Sequence, residues 1–304
     1  MFPVPQDIST TIFADMPAHL RLKGRKSGWT AGRHQTSLEA FLEGPSFDRD
    51  GNLYVTDIPF GRIFRISPVG EWEVATEYGG WPNGLKIHKD GRIFIADHKL
   101  GLVQLDPKNG KIEIILDKAR REGFKGLNDL VFASSGDLYF TDQGQTGLED
   151  PTGRVYCLRA TGRLDCLISN VPSPNGLVLS RDERTLYVAV TRGKQIWQLP
   201  LQEDGPPSKV GVYIHLMGGV GGPDGLALDQ NGSLAIAHPS LGSVWLFDHQ
   251  GIPTHRIRSC AGLSLTNIAY GGADNRSLFI TDSSTSKILR AEMPAPGQKM
   301  YSHM

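Results

Sequence analysis

The sequence predicts an all-β chain folded as a six-bladed β-propeller, and three observations carry that reading. An oxygen-bearing side chain recurs at the start of six β-prone runs: Glu43, Asn83, Asn128, Asn175, Asp224 and Asn267, in EGPSF, PNGLKI, LNDLVF, PNGLVL, PDGLAL and TNIAY. Ten or eleven residues after each comes a second run: LYVTD, IFIAD, LYFTD, LYVAV, LAIAH and LFITD. Successive anchors lie 40, 45, 47, 49 and 43 residues apart. A repeat of that length, made of short strands with no helical period, is the signature of propeller blades.

Blade one reads GPSFDRDGNLYVTDIPFGRIFRISPVGEWEVAT, four strand signals parted by turns at Asp50-Gly51, Phe60-Gly61 and Val69-Gly70. Blade two repeats it as GLKIHKDGRIFIADHKLGLVQLDPKNGKIEIIL. Blade three carries a longer loop, Gln143–Pro151, suited to a partial lid. Blade four has a Pro- and Gly-rich insert before VGVYIHLM, and blade five runs from DGLALD to THRIR. Blade six, TNIAYGGADNRSLFITDSSTSKILRAEM, has only three strand signals. An open sheet edge is a liability. The spare run ISTTIFAD, residues 8–15, is expected to complete this blade and close the ring from the N-terminus. The predicted organisation is one domain over 1–304: a closing strand at 8–15, a connecting loop at 16–42 and blades over 43–292. The connector holds a basic cluster, Arg21, Lys23, Arg25, Lys26 and Arg33. It reads first as a solvated loop, and second as a flap that brings Trp29 to the ring entrance.

Composition narrows the function. With 32 basic and 32 acidic residues the net charge is zero, which offers nothing to nucleic acid or a membrane surface. No apolar run approaches a membrane span, and MFPVPQDIST lacks the features of a signal peptide, so a cytoplasmic location is expected. Three cysteines make no disulfide framework. Cys157 and Cys166 flank the Thr161-Gly162 turn symmetrically and could face each other across a hairpin, as free thiols in a reducing compartment. Nothing marks a large apolar interface, so a monomer or weak oligomer is expected.

The chemistry should sit where the first strands converge on the axis. Second strands end at the same rim, in Thr56-Asp57, Ala96-Asp97-His98, Thr141-Asp142-Gln143, Ala237-His238 and Thr281-Asp282. Asn-Gly and Asp-Gly are ordinary turn pairs that would recur with any repeated turn. The aspartates at the strand ends read as backbone-binding structural residues. Glu43, however, is no turn former, and Asp224 stands where most repeats carry Asn. Two carboxylates among amide oxygens suit a hard divalent cation. The histidines show no zinc spacing, and no GxSxG nucleophile elbow is present. Asn267 reads as a turn residue.

On EGP at Glu43, LNDL at Asn128, PNGL at Asn175 and PDGL at Asp224, residues 40–292 resemble the SMP-30/gluconolactonase/LRE-like family, regucalcin-type lactonases related to diisopropyl-fluorophosphatase-like enzymes. The resemblance implies a six-bladed propeller with one axial divalent cation. Ca²⁺ is expected, with Zn²⁺, Mg²⁺ or Mn²⁺ as alternatives. It implies Glu43, Asn175 and Asp224 as metal ligands, Asp224 also as general base, and Asn128 as a ligand or substrate contact. Sugar-lactone members carry an arginine two residues before the Asn128 position. Here Gly126 stands there, which argues against a standard aldonolactone. The expected activity is opening of a small-molecule lactone by metal-activated water, with Asn83, Asn128, His98 and His238 as substrate contacts. The alternatives are hydrolysis of other esters or organophosphates at the same site, or a non-catalytic binding propeller.

Overall fold

The computed structural model describes residues 3–31, 38–203 and 205–304. Among the described residues the strands form six successive sheets and a small ribbon, Lys118–Ala119 with Glu122–Gly123. Blade one is Leu42–Phe47, Leu53–Asp57, Arg62–Ile66 and Trp72–Glu77, and blade two is Pro82–Ile87, Ile93–Asp97, Gly101–Asp106 and Lys111–Leu116. Blade three is Leu127–Phe132, Leu138–Asp142, Gly153–Leu158 and Leu164–Val171; blade four is Pro174–Leu179, Thr185–Val190, Gln195–Pro200 and Gly211–His215. Blade five is Leu226–Leu228, Leu234–His238, Ser243–Phe247 and Pro253–Arg258. Blade six supplies three strands, Leu265–Gly271, Ser277–Asp282 and Lys287–Glu292. The propeller read from the repeat is the architecture observed.

Burial follows strand position. LYVTD and IFIAD are buried at every residue, whereas the outer strand Trp72–Glu77 shows only partial burial. A second strand is covered on both faces because each blade packs between two others, which suits a continuous apolar run. The core is therefore a series of layers between blades. Phe94, Leu102, Leu130 and Phe140 fill the layer between blades two and three, and Leu234 and Ile236 meet Ile196 and Ile214 between four and five.

The ring closes through the N-terminus, with one revision. The run splits at Thr10. Thr11–Asp15 pairs antiparallel with Lys287–Glu292 and completes blade six. Gln6–Ser9 pairs parallel with Pro253–Arg258, as a fifth strand on blade five. Thr10 turns the corner: its N–H and hydroxyl both donate to Arg258 O, at 3.1 and 2.9 Å, and its Oγ1 accepts from Cys260 N at 2.9 Å. One short segment thus fastens two blades.

The Thr-Asp doublets are structural, as expected. Each aspartate accepts from the backbone that leads into its own blade's first strand: Asp57 from Phe41 N at 2.8 Å, Asp97 from Trp81 N at 3.1 Å and Asp142 from Gly126 N at 2.9 Å. Two of the threonines reach the next blade: Thr56 Oγ1 donates to Asn83 O at 2.7 Å and Thr141 Oγ1 to Asn175 O at 2.9 Å. On the opposite face the C-terminal segment crosses the axis. Gln298 N donates to Leu228 O, Ser302 Oγ to Phe47 O, and the Tyr301 ring stacks on Phe132 at 5.0 Å. Cys157 pairs with Asp165 and Tyr156 with Cys166, so the two thiols project from opposite faces of their hairpin and do not meet. Among the described residues no helix is long and apolar enough to cross a membrane.

If the closing strand holds the ring, charge on its inner face is costly. Ala14 is 4 % exposed, beside Phe279 and Ile288, whereas Ile12 is 50 % exposed. Ala14→Asp should lower the urea unfolding free energy by on the order of 3 kcal/mol, and Ile12→Asp by less than about 1 kcal/mol. Equal effects would mean that the strand is not seated as described.

Candidate active site

Five of the six anchors, Glu43, Asn83, Asn128, Asn175 and Asp224, line one cavity of about 670 Å³. They are not turn residues. Glu43, Asn83, Asn128 and Asn175 lie inside first strands, and in each the pairing register breaks at the anchor, between Glu43 and Ser46, Pro82 and Leu85, Leu127 and Leu130, and Pro174 and Leu177. A bulge re-aims side chains out of the regular alternation, and here it turns the anchors into the cavity. The following glycines answer a close approach. A Cβ at Gly84 would collide with Asp129, at Gly176 with Asp224 O, and at Gly225 with the Asn267 amide. Gly44 also has φ +56, a left-handed backbone that favours glycine.

Blade three breaks this rule with an aspartate. Asp129, 2 % exposed, is a third axial carboxylate beside Glu43 and Asp224. Asn267 bridges two of them: its Nδ2 donates to Glu43 Oε2 at 2.9 Å and to Asp129 Oδ2 at 3.3 Å. Asn267 is therefore an axial link within a strand, not a turn residue. Burial raises Glu43 to about 7, against the Asn267 hydrogen bond and with the Asp129 charge adding to the rise. Asp224, partly exposed onto the cavity, is held well above the usual carboxylate range by burial, then by Glu43 and Asp129, with the Asn175 amide opposing. Burial also raises Asp129, while the Lys86 ammonium pulls the other way.

Like charges this deep are expensive unless protonated or balanced by a cation. A hard divalent cation takes oxygen donors, and Glu43, Asp224 and Asn175 are the residues of this cavity that could supply them. Among the described residues no group of three or more His, Cys, Asp or Glu forms a metal cluster. The candidate set is two carboxylates supplemented by amides.

The remaining wall is a mixture. Asn128 Nδ2 donates to Gln143 Oε1 at 2.9 Å, and Gln143 Nε2 to Ser173 Oγ at 3.0 Å. That network uses one of the two Asn128 amide N–H groups and fixes the orientation of its side chain. The loop expected to act as a lid contributes Gln143–Glu149 to the cavity and is pinned by Thr146, whose Oγ1 accepts from Ser173 N at 3.1 Å. Trp29 and His98 also line the cavity. Trp29, 8 % exposed, thus favours the flap over the solvated connector; Arg33 of the basic cluster lies outside the described residues. Arg21 is tied to Asp15 at 2.6 Å and Glu39 at 3.2 Å and serves the connector's own structure.

His238 is a correction. It is fully buried and does not line the cavity. It occupies the strand-end position held by Asp57, Asp97, Asp142 and Asp282 in other blades, which points it into the blade, and burial keeps its imidazole below the usual value. Asp129, behind the cavity wall, is the axial residue that pattern reading left without a role, and Gln143 was read only as the start of the lid loop. The signal for Asp129 was present: LNDL carries a charge where EGP, PNGL and PDGL carry glycine.

Fold and site together define a six-bladed propeller with an oxygen-lined axial cavity. The chain belongs to the SMP-30/gluconolactonase/LRE-like family, whose model matches residues 41–284. It is 33% identical over 228 residues to lactonase drp35 of Staphylococcus epidermidis, covering 71% of this chain and 69% of the relative. It is 30% identical over 274 residues to a gluconolactonase of Zymomonas mobilis, covering 79% of this chain and 76% of that one. Among solved structures, regucalcin of Agrobacterium tumefaciens, described as a calcium-binding protein, superposes with TM-score 0.80 at 20% identity over 99% of this chain and 100% of that one. A gluconolactonase of Xanthomonas campestris gives 0.74 at 21% identity, over 97% and 99%. At these identities the structural matches speak for the fold.

A carboxyl raised in the folded state stabilises fully below its unfolded pKa and loses that contribution as pH rises through its folded one. For Glu43 the window runs from the ordinary value of 4.5 to about 7. In EDTA, the unfolding free energy of the wild type relative to Glu43→Gln should therefore fall by about 2–3 kcal/mol between pH 5 and pH 8. A difference that is flat with pH would show that Glu43 is not a buried carboxylate in need of a partner.

Proposed function

We propose that the protein is a divalent-cation-dependent hydrolase that opens a lactone, and that its substrate is not a standard sugar aldonolactone. The observation that carries this reading is the pair of carboxylates, buried Glu43 and partly exposed Asp224, brought from separate blades into one cavity among amide groups. The lactonase and gluconolactonase names of the relatives support the choice of reaction, and the calcium-binding neighbour supports the choice of cofactor.

Glu43, Asn175 and Asp224 would hold the cation, Ca²⁺ in the first instance. Bound there, it would supply charge balance for the carboxylates and Lewis acidity toward an ester carbonyl. Asp224 is the proposed general base: partly open to the cavity, it can accept a proton from an attacking water once it is ionised. Burial beside Glu43 and Asp129 works against that ionisation, so base function and occupancy of the site are linked. Asn128, oriented by Gln143, and Asn83 would position substrate oxygens, with His98 as a further contact. Ser173 and Thr146 fix the lid loop that limits water above the reacting carbonyl.

Lactone hydrolysis should be lost in EDTA and restored by Ca²⁺ or another divalent ion. Asp224→Asn should lower kcat by about 10²–10⁴-fold while the purified protein still carries one equivalent of metal. Activity that survives chelation removes the cation from the mechanism, and wild-type turnover in Asp224→Asn removes the base assignment.

A further inference from the structure

The cavity has two unlike sides. Blades three to five present polar groups: Asn128, Gln143, Asn175, Thr191 and Asp224. Blades one and two, with the segment that precedes them, present Trp29, Phe41, Ile58 and His98 beside the axial Glu43 and Asn83. Trp29 and Phe41 stand with ring centroids 5.0 Å apart, in one apolar cluster with Ile58 and with Trp81 packed against it. The His98 ring stacks on Trp81 at 6.2 Å and 30°. It also rests on the backbone of Gly126, where any Cβ would run into the imidazole. Gly126 has φ +145, so glycine is required there on conformational grounds as well. Position 126 thus yields its space to a ring, and that side of the cavity is an aromatic and aliphatic face with no cationic side chain at 126.

We propose that this face is a specificity subsite for an apolar substituent, an alkyl or aryl chain carried on the lactone ring. The inference rests on the lactonase reading and adds the substrate class to it. A polyhydroxylated chain laid against Trp29, Phe41 and Ile58 would leave its hydroxyls desolvated and unpaired. An alkyl chain there gains the free energy of removing its surface from water. Polar groups can hold the ring oxygens at the same time, because Asn128 and Asn83 line the same cavity. A volume of about 670 Å³ leaves room for a substituent beyond the lactone ring.

The test is a chain-length series of γ-lactones, from γ-valerolactone to γ-nonalactone, assayed with Ca²⁺ alongside D-glucono-δ-lactone. The matching non-hydrolysable γ-lactams are titrated by tryptophan fluorescence. kcat/KM should rise about fourfold per methylene until the face is covered, lactam Kd should tighten in parallel, and Trp29→Ala should flatten both slopes. Hydrolysis with no dependence on chain length, or with gluconolactone preferred, overturns the subsite and leaves the lactonase reading standing. Lactam Kd values that tighten with chain length while no lactone is hydrolysed overturn the lactonase reading and support the apolar face. Flat lactam affinities in the wild type overturn the subsite whether or not the Trp29 variant folds.

Discussion

The first strands of the six blades meet at the axis with almost no space between their backbones, and the site follows from that crowding. Four of the residues after the anchors are glycine, and at Gly84, Gly176 and Gly225 even a methyl group would strike the neighbouring blade. Strands this close cannot keep side chains between them: the pairing register breaks at the anchor in five of the six, and in blades one to four the anchor faces the cavity. Thr56 and Thr141 of the second strands hold the spacing by bonding the anchor carbonyl of the next blade. Closure by Thr11–Asp15 holds the blades in register around the ring. Charged anchors are therefore brought together by backbone packing, whatever their mutual repulsion.

That repulsion is what the proposed cation would relieve. Glu43, Asp129 and Asp224 share a buried region, and their partners are neutral N–H groups, from Asn267, Asn175, Gly44 and Leu130, with Lys86 as the more distant cation. A cluster so weakly balanced keeps its protons to unusually high pH or takes up a cation, and the oxygen-only donor set favours a hard one. The same competition between proton and cation would tie the proposed base, Asp224, to an occupied site.

Much of this was legible in the sequence because it repeats. The anchor spacing marked the blades, the missing outer strand of blade six pointed to the N-terminal run, and the two carboxylate anchors stood out against amides. The residues misread were those whose role depends on three-dimensional position within the repeat. Asn267 looked like a turn but bridges carboxylates, since the bulge places it in a strand facing blades one and three. His238 looked like a rim contact, yet it holds a strand-end position that the fold buries in every blade. Asp129 was hidden behind its neighbour Asn128, although its departure from glycine was visible. The split of residues 6–15 into two strands depends on the edge of blade five, which no local pattern reports.

The central claim is that Glu43, Asn175 and Asp224 together hold one divalent cation at the axis. Anomalous diffraction from crystals grown with Mn²⁺ tests it most directly. The account predicts a single strong peak about 2.1–2.5 Å from carboxylate oxygens of both Glu43 and Asp224 and from the Asn175 amide oxygen. No peak at the axis, or a peak bound only to surface carboxylates, would contradict it.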